Sequence, residues 1–287
     1  MKRKILILTN DLDKHSVLIE RLSDADTSIT VALCSDLSFY INGADSEITL
    51  FSTGEELRTF QKILVLSTPE HDKNHSLSAL ACYCRKFHLP LYDDVFTNTS
   101  GKLYELWRLW EHDLPVAKTL FGPSDFLIRS FPKLNGPGVL KAVHGTRGKD
   151  NYLIKTTDAL RQILADNPNT PFILQNFIPN DGDWRIIVME SEPKLALYRS
   201  SHGRDHRNNT SVGGDTSFVP LSEVDPQILQ LAVDASCALD IKIAGADILP
   251  EKDTKQLSVL EVNRTPQLVT AGFLDVKTKA LKDLINA

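Results

Sequence analysis

Gly245-Ala246-Asp247-Ile248-Leu249 and, further on, Leu260-Glu261-Val262-Asn263 are two apolar runs carrying acidic and amide side chains at strand spacing. Successive residues of a strand point to opposite faces, so Asp247 lies opposite Ala246 and Ile248, while Glu261 and Asn263, two apart, project together. Three hard oxygen donors can therefore meet on one surface. Two carboxylates and an amide carbonyl suit Mg²⁺, which takes few protein ligands and leaves its other positions to water and nucleotide phosphates. The same pattern also fits a polar strand face turned to solvent, because Asp and Glu are common on half-buried strands.

Working outward, Val139-Leu140-Lys141-Ala142-Val143 reads as a strand with one cation in it, feeding into His144-Gly145-Thr146-Arg147-Gly148-Lys149-Asp150. A basic, glycine-bearing loop after a strand can wrap N–H groups and cations around phosphates, although an ordinary hairpin loop has the same composition. Neither the GxxxxGK[ST] spacing nor a GxGxxG turn is present. Lys141 is the stronger signal, since a lysine inside a buried strand needs a partner. Phe172-Ile173-Leu174-Gln175-Asn176-Phe177-Ile178 is another apolar strand, and Asp183-Trp184-Arg185-Ile186-Ile187-Val188-Met189 a further one. Asp183 and Arg185 share a face of it and are expected to pair; as an isolated motif they would be a surface ion pair.

This ordered set, a strand with lysine, a glycine loop, Gln-x-Phe-Ile, Asp-x-Arg, Gly-x-Asp and Glu-x-Asn, resembles the ATP-grasp superfamily. It is most similar to the RimK-like carboxylate–amine ligases, over about Lys102 to Pro266. Each motif is weak alone; their order makes the resemblance specific. It implies a mixed α/β and α+β fold: a Rossmann-like pre-ATP-grasp domain over 1–95, an ATP-grasp small lobe with the glycine-rich loop over 96–175, and a C-terminal lobe with the metal site over 176–287.

The N-terminal reading rests on the residues as well. Ile5-Leu6-Ile7-Leu8 is a fully apolar strand, followed by a turn at Thr9-Asn10-Asp11, a helix near His15 to Leu22 and a strand from Ile29 to Cys34. A strand over Lys62 to Leu66 and a helix over Leu77 to Phe87 continue the alternation, which predicts a parallel sheet covered by helices. Asn10 and Ser67, at strand ends, could touch substrate or be plain turn residues.

Between the lobes, Leu103, Leu106, Trp107 and Trp110 form one stripe of an amphipathic helix beginning at Gly101, with Ser100 as its cap, and Pro115 to Thr119 reads as a short strand. Lys102 would be a solvated charge by itself; the resemblance implies that it reaches the nucleotide phosphates. The basic stretch Tyr198 to Gly214 contains His202 and His206, whose loop context does not support a zinc site. By resemblance, Arg199 and Asn209, or Asn208 one residue earlier, face the phosphate and metal end.

A net charge of −5 over 287 residues argues against a general nucleic-acid surface. No apolar stretch reaches the roughly 20 residues of a membrane span, and the opening Met1-Lys2-Arg3-Lys4 does not lead into a signal peptide. Four cysteines, Cys34, Cys82, Cys84 and Cys237, show no Cys-x-x-Cys spacing and are expected as buried reduced thiols. The expected setting is the cytoplasm.

The resemblance implies ATP and Mg²⁺, with Mn²⁺ as an alternative ion. It places Asp247, Glu261 and Asn263 on the metal, and Lys102, Lys141, Gly145, Thr146, Arg147, Gly148, Gln175, Asn176, Phe177, Ile178 and Asp183 around the nucleotide. Arg185, Arg199 and Arg264 are the candidates for the reacting groups. In the family a carboxylate attacks the γ-phosphate to give an acyl phosphate, which an amine then attacks. The partners implied are small-molecule, peptide or protein carboxylates and amines, with no nucleic acid and no membrane; homo-oligomerisation stays open. A non-catalytic ATP-binding sensor and an ATP-dependent kinase are the alternative readings.

Overall fold

The computed structural model describes residues 2–42, 46–66, 76–92, 101–143, 150–200, 215–264, 266, 268–269 and 272–286. The chain forms two compact units, one built from Met1–Thr99, Ile241–Ala244 and Arg264–Ala287, the other from Ser100–Asp240 and Gly245–Asn263.

The first unit starts with β1 (Arg3–Thr9), α1 (Leu12–His15), α2 (Val17–Leu22) and β2 (Thr27–Leu33). It continues with a small antiparallel ribbon of β3 (Leu37–Tyr40) and β4 (Glu47–Leu50), then β5 (Lys62–Val65), α3 (Ser76–Phe87) and β6 (Leu91–Tyr92). The main sheet runs β2-β1-β5-β6, all parallel. Strand order reverses direction on either side of β1, the doubly wound pattern. β1 is central, which is why Ile5 to Leu8 are all apolar and fully buried rather than alternating.

The Asp11 carboxylate caps α1 by accepting from Lys14 N–H, and the helix expected over His15 to Leu22 is two pieces meeting at Ser16. α3 buries Leu77, Leu80, Ala81 and Cys84, one helical stripe. The C-terminal helix Leu274–Asn286 also belongs to this unit. Arg3 donates to Asn286 Oδ1 at 2.8 Å, and Lys62 Nζ to the Leu284 carbonyl at 3.0 Å, cations meeting the end of the helix where carbonyls lack partners.

The second unit carries two antiparallel sheets. α4 (Lys102–Glu111), β7 (Thr119–Phe121), α5 (Ser124–Ser130), β8 (Gly138–Ala142), β9 (Asn151–Ile154), α6 (Thr157–Asp166) and β10 (Phe172–Asn176) come first. Their sheet has the order β7-β10-β8-β9, and its core joins Leu127, Leu140, Leu160, Phe172 and Leu174. β11 (Asp183–Met189), β12 (Glu192–Ser200), β13 (Asp215–Val219), α7 (Pro226–Ala238), β14 (Ile243–Pro250) and β15 (Leu257–Asn263) follow, in the sheet order β13-β12-β11-β14-β15.

Three expectations need correction. On α4 the buried residues are Leu106 and Leu109, whereas Trp107 and Trp110 are 58% and 62% exposed and stack edge to face on each other. The strand expected from Pro115 begins only at Thr119, Val116 making a single bridge to Val259. Of the four cysteines, none of them in a disulfide, Cys34 and Cys84 are buried, but Cys82 and Cys237 are exposed. Ser67 and Ser100 lie outside the described residues. Among the described residues no helix is long and apolar enough to cross a membrane.

Candidate functional site

Antiparallel pairing of β14 with β15 sets Asp247 directly opposite Glu261 and Asn263 opposite Gly245. Partners across a ladder share a face, so all three oxygen-bearing side chains lie on one side of the sheet. The register shifts between Asp247 and Ile248, where Leu260 is the extra residue. That bulge is why Val259 and Val262, three apart, are both buried on the other face. Asn263 Nδ2 donates to the Gly245 carbonyl at 3.3 Å, which commits the NH₂ end to the strand and leaves Oδ1 as the atom able to meet a cation.

Asp247 is 5% exposed, yet its carboxylate is fully engaged. Arg185, from β11, forks it, with Nε and Nη2 donating to Oδ1 and Oδ2 at 2.8 Å each. Arg199, from β12, donates through Nε to Asp183 Oδ1 at 2.6 Å. Its Nη2 lies 2.9 Å from Asp247 Oδ2 at an angle that does not make a hydrogen bond. The expected Asp183–Arg185 pair is thus absent; each residue has a different partner, and the chain of contacts runs Asp183, Arg199, Asp247, Arg185.

Burial opposes the charges of Asp247, Asp183 and Arg199. For Asp247 the two guanidiniums outweigh it and hold the carboxyl below its ordinary range. For Asp183 burial wins over Arg199 and pushes the carboxyl up. For Arg199 the Asp247 and Asp183 carboxylates overcome burial and raise the guanidinium further.

Facing this surface is Lys141 of β8. Its Nζ donates to Gln175 Oε1 at 2.8 Å, and Gln175 in turn donates to Thr119 Oγ1 at 2.9 Å. Burial pushes the ammonium down, Glu261 and Asp247 pull it back up, and Lys102 adds to the downward push. Lys102, Glu105, Lys141, Gln175, Leu260 and Glu261 line one cavity. Lys102 Nζ donates to the Val143 carbonyl at 3.3 Å, at the start of the glycine loop.

Gln175, which the resemblance sets beside the nucleotide, spends its side chain on Lys141. The Asn176 and Phe177 N–H groups donate to the Lys118 and Pro137 carbonyls at 3.0 and 2.8 Å. The Ile178 carbonyl accepts from Asn180. Gly145, Thr146, Arg147 and Gly148, with His202, His206, Asn208 and Asn209, lie outside the described residues. Arg264 is half-buried, and its Nε and Nη2 have no hydrogen-bond partner among the described residues.

Glu105, Thr119 and Gly182 were not singled out from the sequence. Glu105 lies one turn beyond Lys102 on the same helix, a spacing that signals a shared face. Gly182 precedes Asp183 where a Cβ would come within 2.5 Å of the Arg199 carbonyl and the Tyr198 ring. Only a glycine admits that approach.

The donor set fits a divalent cation of the Mg²⁺ type: two carboxylates, one amide oxygen and no sulfur or imidazole. Among the described residues there is no cluster of three His, Cys, Asp or Glu that could hold a metal, so the amide is needed to complete the set.

A probable alpha-L-glutamate ligase of Mannheimia succiniciproducens is 31% identical over 195 residues, 65% of this chain and 63% of that protein. A second, from Enterobacter sp. strain 638, is 27% identical over 92% of this chain and 89% of that protein. The glutathione synthetase of Synechococcus elongatus is 28% identical over 66% of this chain and 60% of the enzyme. The match thus spans about three fifths of the first of these relatives.

Among solved structures, the ATP-grasp ligase PsnB complexed with a minimal precursor aligns with a TM-score of 0.75 at 16% identity, over 100% of this chain and 99% of that one. The macrocyclase MdnC of Microcystis aeruginosa, bound with its precursor peptide MdnA, aligns at 0.67 and 13% identity, over 99% and 100%. At such identities these likenesses speak for the fold. The profile of the RimK-like ATP-grasp domain matches residues 116–287, well over half of the sequence, and the chain belongs to that family.

Proposed function

We propose that this chain is an ATP-dependent carboxylate–amine ligase that forms an amide or peptide bond through an acyl phosphate. The observation that carries this reading is that Asp247, Glu261 and Asn263 share one face of the β14–β15 ladder, with Lys141 and Lys102 on the facing side of the same unit. Negative oxygen donors for a metal opposite cations for phosphate is the division of labour that phosphoryl transfer requires. Family membership and the Mg- and ADP-containing structure of PsnB support ATP and Mg²⁺ as the cofactors.

In this reading Asp247, Glu261 and Asn263 hold Mg²⁺, which when bound neutralises phosphate oxygens. Lys102, Lys141 and Arg199 balance the remaining phosphate charge. An oxygen of the acid substrate attacks the γ-phosphorus and ADP leaves with the bridging oxygen. The amine nitrogen then attacks the acyl carbon, a proton is lost from nitrogen, and inorganic phosphate departs with the C–O electron pair. The chain's share is positioning and charge balance, and no side-chain nucleophile enters. The four-stranded and five-stranded sheets, over 96–175 and 176–287, are the two lobes that grip the nucleotide, and 1–95 with its parallel sheet precedes them.

The acid is an amino acid, a peptide or a protein carboxylate; the names of the ligases similar in sequence point to an amino acid as one of the two partners, those of the ligases similar in fold to a peptide. The test is ADP release against a panel of amino acids and peptides, with hydroxylamine added. Trapping of a hydroxamate together with ADP is expected. ADP formation with a stable phosphate ester, or none with any acceptor, would overturn the reading.

A further inference from the structure

Asp247 presents an inconsistency with simple metal binding. Its two oxygens are already taken by the Arg185 fork at 2.8 Å, with Arg199 Nη2 at 2.9 Å on Oδ2. The opposing Glu261 is exposed and makes no ion pair among the described residues. A divalent cation arriving at this face meets one open carboxylate and one that carries a bidentate cation in advance. With Arg185 and Arg199 both in place, a metal on Asp247 would be a third cation around one carboxylate in a poorly solvated setting, where their mutual repulsion is strong.

The two arginines are not equivalent. Arg199 is anchored from behind by Asp183 and is 4% exposed. Arg185 has no acceptor but Asp247 among the described residues, and its side chain is 15% exposed. Arg185 therefore has room to withdraw, while Arg199 is fixed.

We infer that Arg185 is the resident counter-ion of Asp247 and is exchanged for the metal. Glu261 and Asn263 capture the cation first. Arg185 then releases Asp247, which completes the coordination, and Arg199 stays in place on Asp183. The site keeps a buried carboxylate neutralised in both states, which avoids the large cost of an unpaired buried charge. Arg185 is thereby a positioning residue whose release reports metal occupancy. This inference rests on the metal site in the proposed function.

The test is Mn²⁺ binding to the whole chain in the presence of ADP, followed by the electron paramagnetic resonance signal of free Mn²⁺, with no turnover required. Arg185→Met should bind Mn²⁺ roughly 5- to 150-fold more tightly than wild type, the range of a typical coupling between two ligands. Arg185→Lys, which keeps the charge but loses the fork, should lie between the two, and it decides the matter if the methionine variant does not fold. Glu261→Gln should weaken binding in every background. Mn²⁺ binding that is sensitive to Glu261→Gln but unchanged or weakened by both Arg185 variants would overturn the exchange alone. Binding insensitive to Glu261→Gln would overturn the metal site and the exchange with it.

Discussion

Asp247 and Glu261 face each other across the β14–β15 ladder in opposite settings, the first buried beneath a guanidinium fork and the second exposed. One register thus supplies a carboxylate held in reserve and one open to solvent. This asymmetry separates what substitution at each position should do to folding and to chemistry.

Glu261→Gln and Asn263→Ala should leave the fold intact, because the first is exposed and the second loses only one 3.3 Å hydrogen bond. Both should reduce ADP formation by ~100-fold or more by removing a metal donor. Steady-state ADP release at limiting Mg²⁺, beside a thermal melt, checks both halves. Near-wild-type turnover in either variant would mean that the oxygen cluster does not hold the metal.

Gly182→Ala should destabilise the second unit by about 1–3 kcal/mol, the usual cost of forcing atoms into filled space. The added Cβ would sit 2.5 Å from both the Arg199 carbonyl and the Tyr198 ring, and it would push apart the strands that bring Arg199 to Asp183. Urea unfolding reads the stability, and an unshifted midpoint would show that the turn yields easily.

His15 is 3% exposed, and its Nδ1 lies 2.9 Å from Thr9 Oγ1 and 3.1 Å from the Asp11 carbonyl. Burial lowers its pKa from the ordinary 6.5, against the pull of the Asp11 carbonyl. The folded state then binds fewer protons than the unfolded one below pH 6.5. The contribution of His15 is therefore complete above that pH and declines as pH falls through the window down to the folded pKa. His15→Gln should flatten the pH dependence of stability across this window; an equal slope in both proteins would place the acid sensitivity elsewhere.

Much of this site was legible because strand periodicity is short-range. Glu261 and Asn263 could be placed on one face, and Asp247 opposite its own apolar neighbours, from alternation alone, and Lys141 stood out as a cation in an apolar strand; the register that sets Asp247 beside Glu261 came from the structure. The Leu260 bulge was not visible, since the adjacent apolar pair Val259-Leu260 fits an unbulged strand buried on both faces equally well. Partner choice among charges was equally hidden. Asp183 and Arg185 share a face, but their partners, Arg199 and Asp247, come from neighbouring strands of the sheet, and sheet order decides which pairs meet. In the first unit, Ile5 to Leu8 announced a central strand by being apolar without alternation. The helix after it reads as continuous in the sequence because Ser16, where it breaks, is an ordinary helical residue by propensity. The misread stripe on α4 has a similar origin: Leu106 and Leu109 are spaced as a helical pair, and the two tryptophans drew the expected face away from them.

Arg264 follows directly on Asn263, and what it would hold rests on the proposed ligase activity. A pairing with the surface acid Asp275 would have made it structural, but Asp275 bonds Arg21. Arg264 keeps its Nε and Nη2 buried without a hydrogen-bond partner among the described residues. Unpaired buried donors on a charged group cost at least ~1–3 kcal/mol, so such an edge is suited to an anion that arrives later. Arg185 shows in this same chain what that edge can do, gripping a carboxylate with Nε and Nη2 at 2.8 Å each. Arg264 should accordingly fork the carboxylate of the acid substrate. Replacing it with lysine keeps the charge and loses the two parallel donors. Arg264→Lys should raise the KM for the acid by ~10-fold or more while changing that for ATP much less, since a charged hydrogen bond contributes about 1.5–3 kcal/mol. The measurement is the ratio of the two constants in wild type and variant, and an unchanged ratio would remove Arg264 from the acid site.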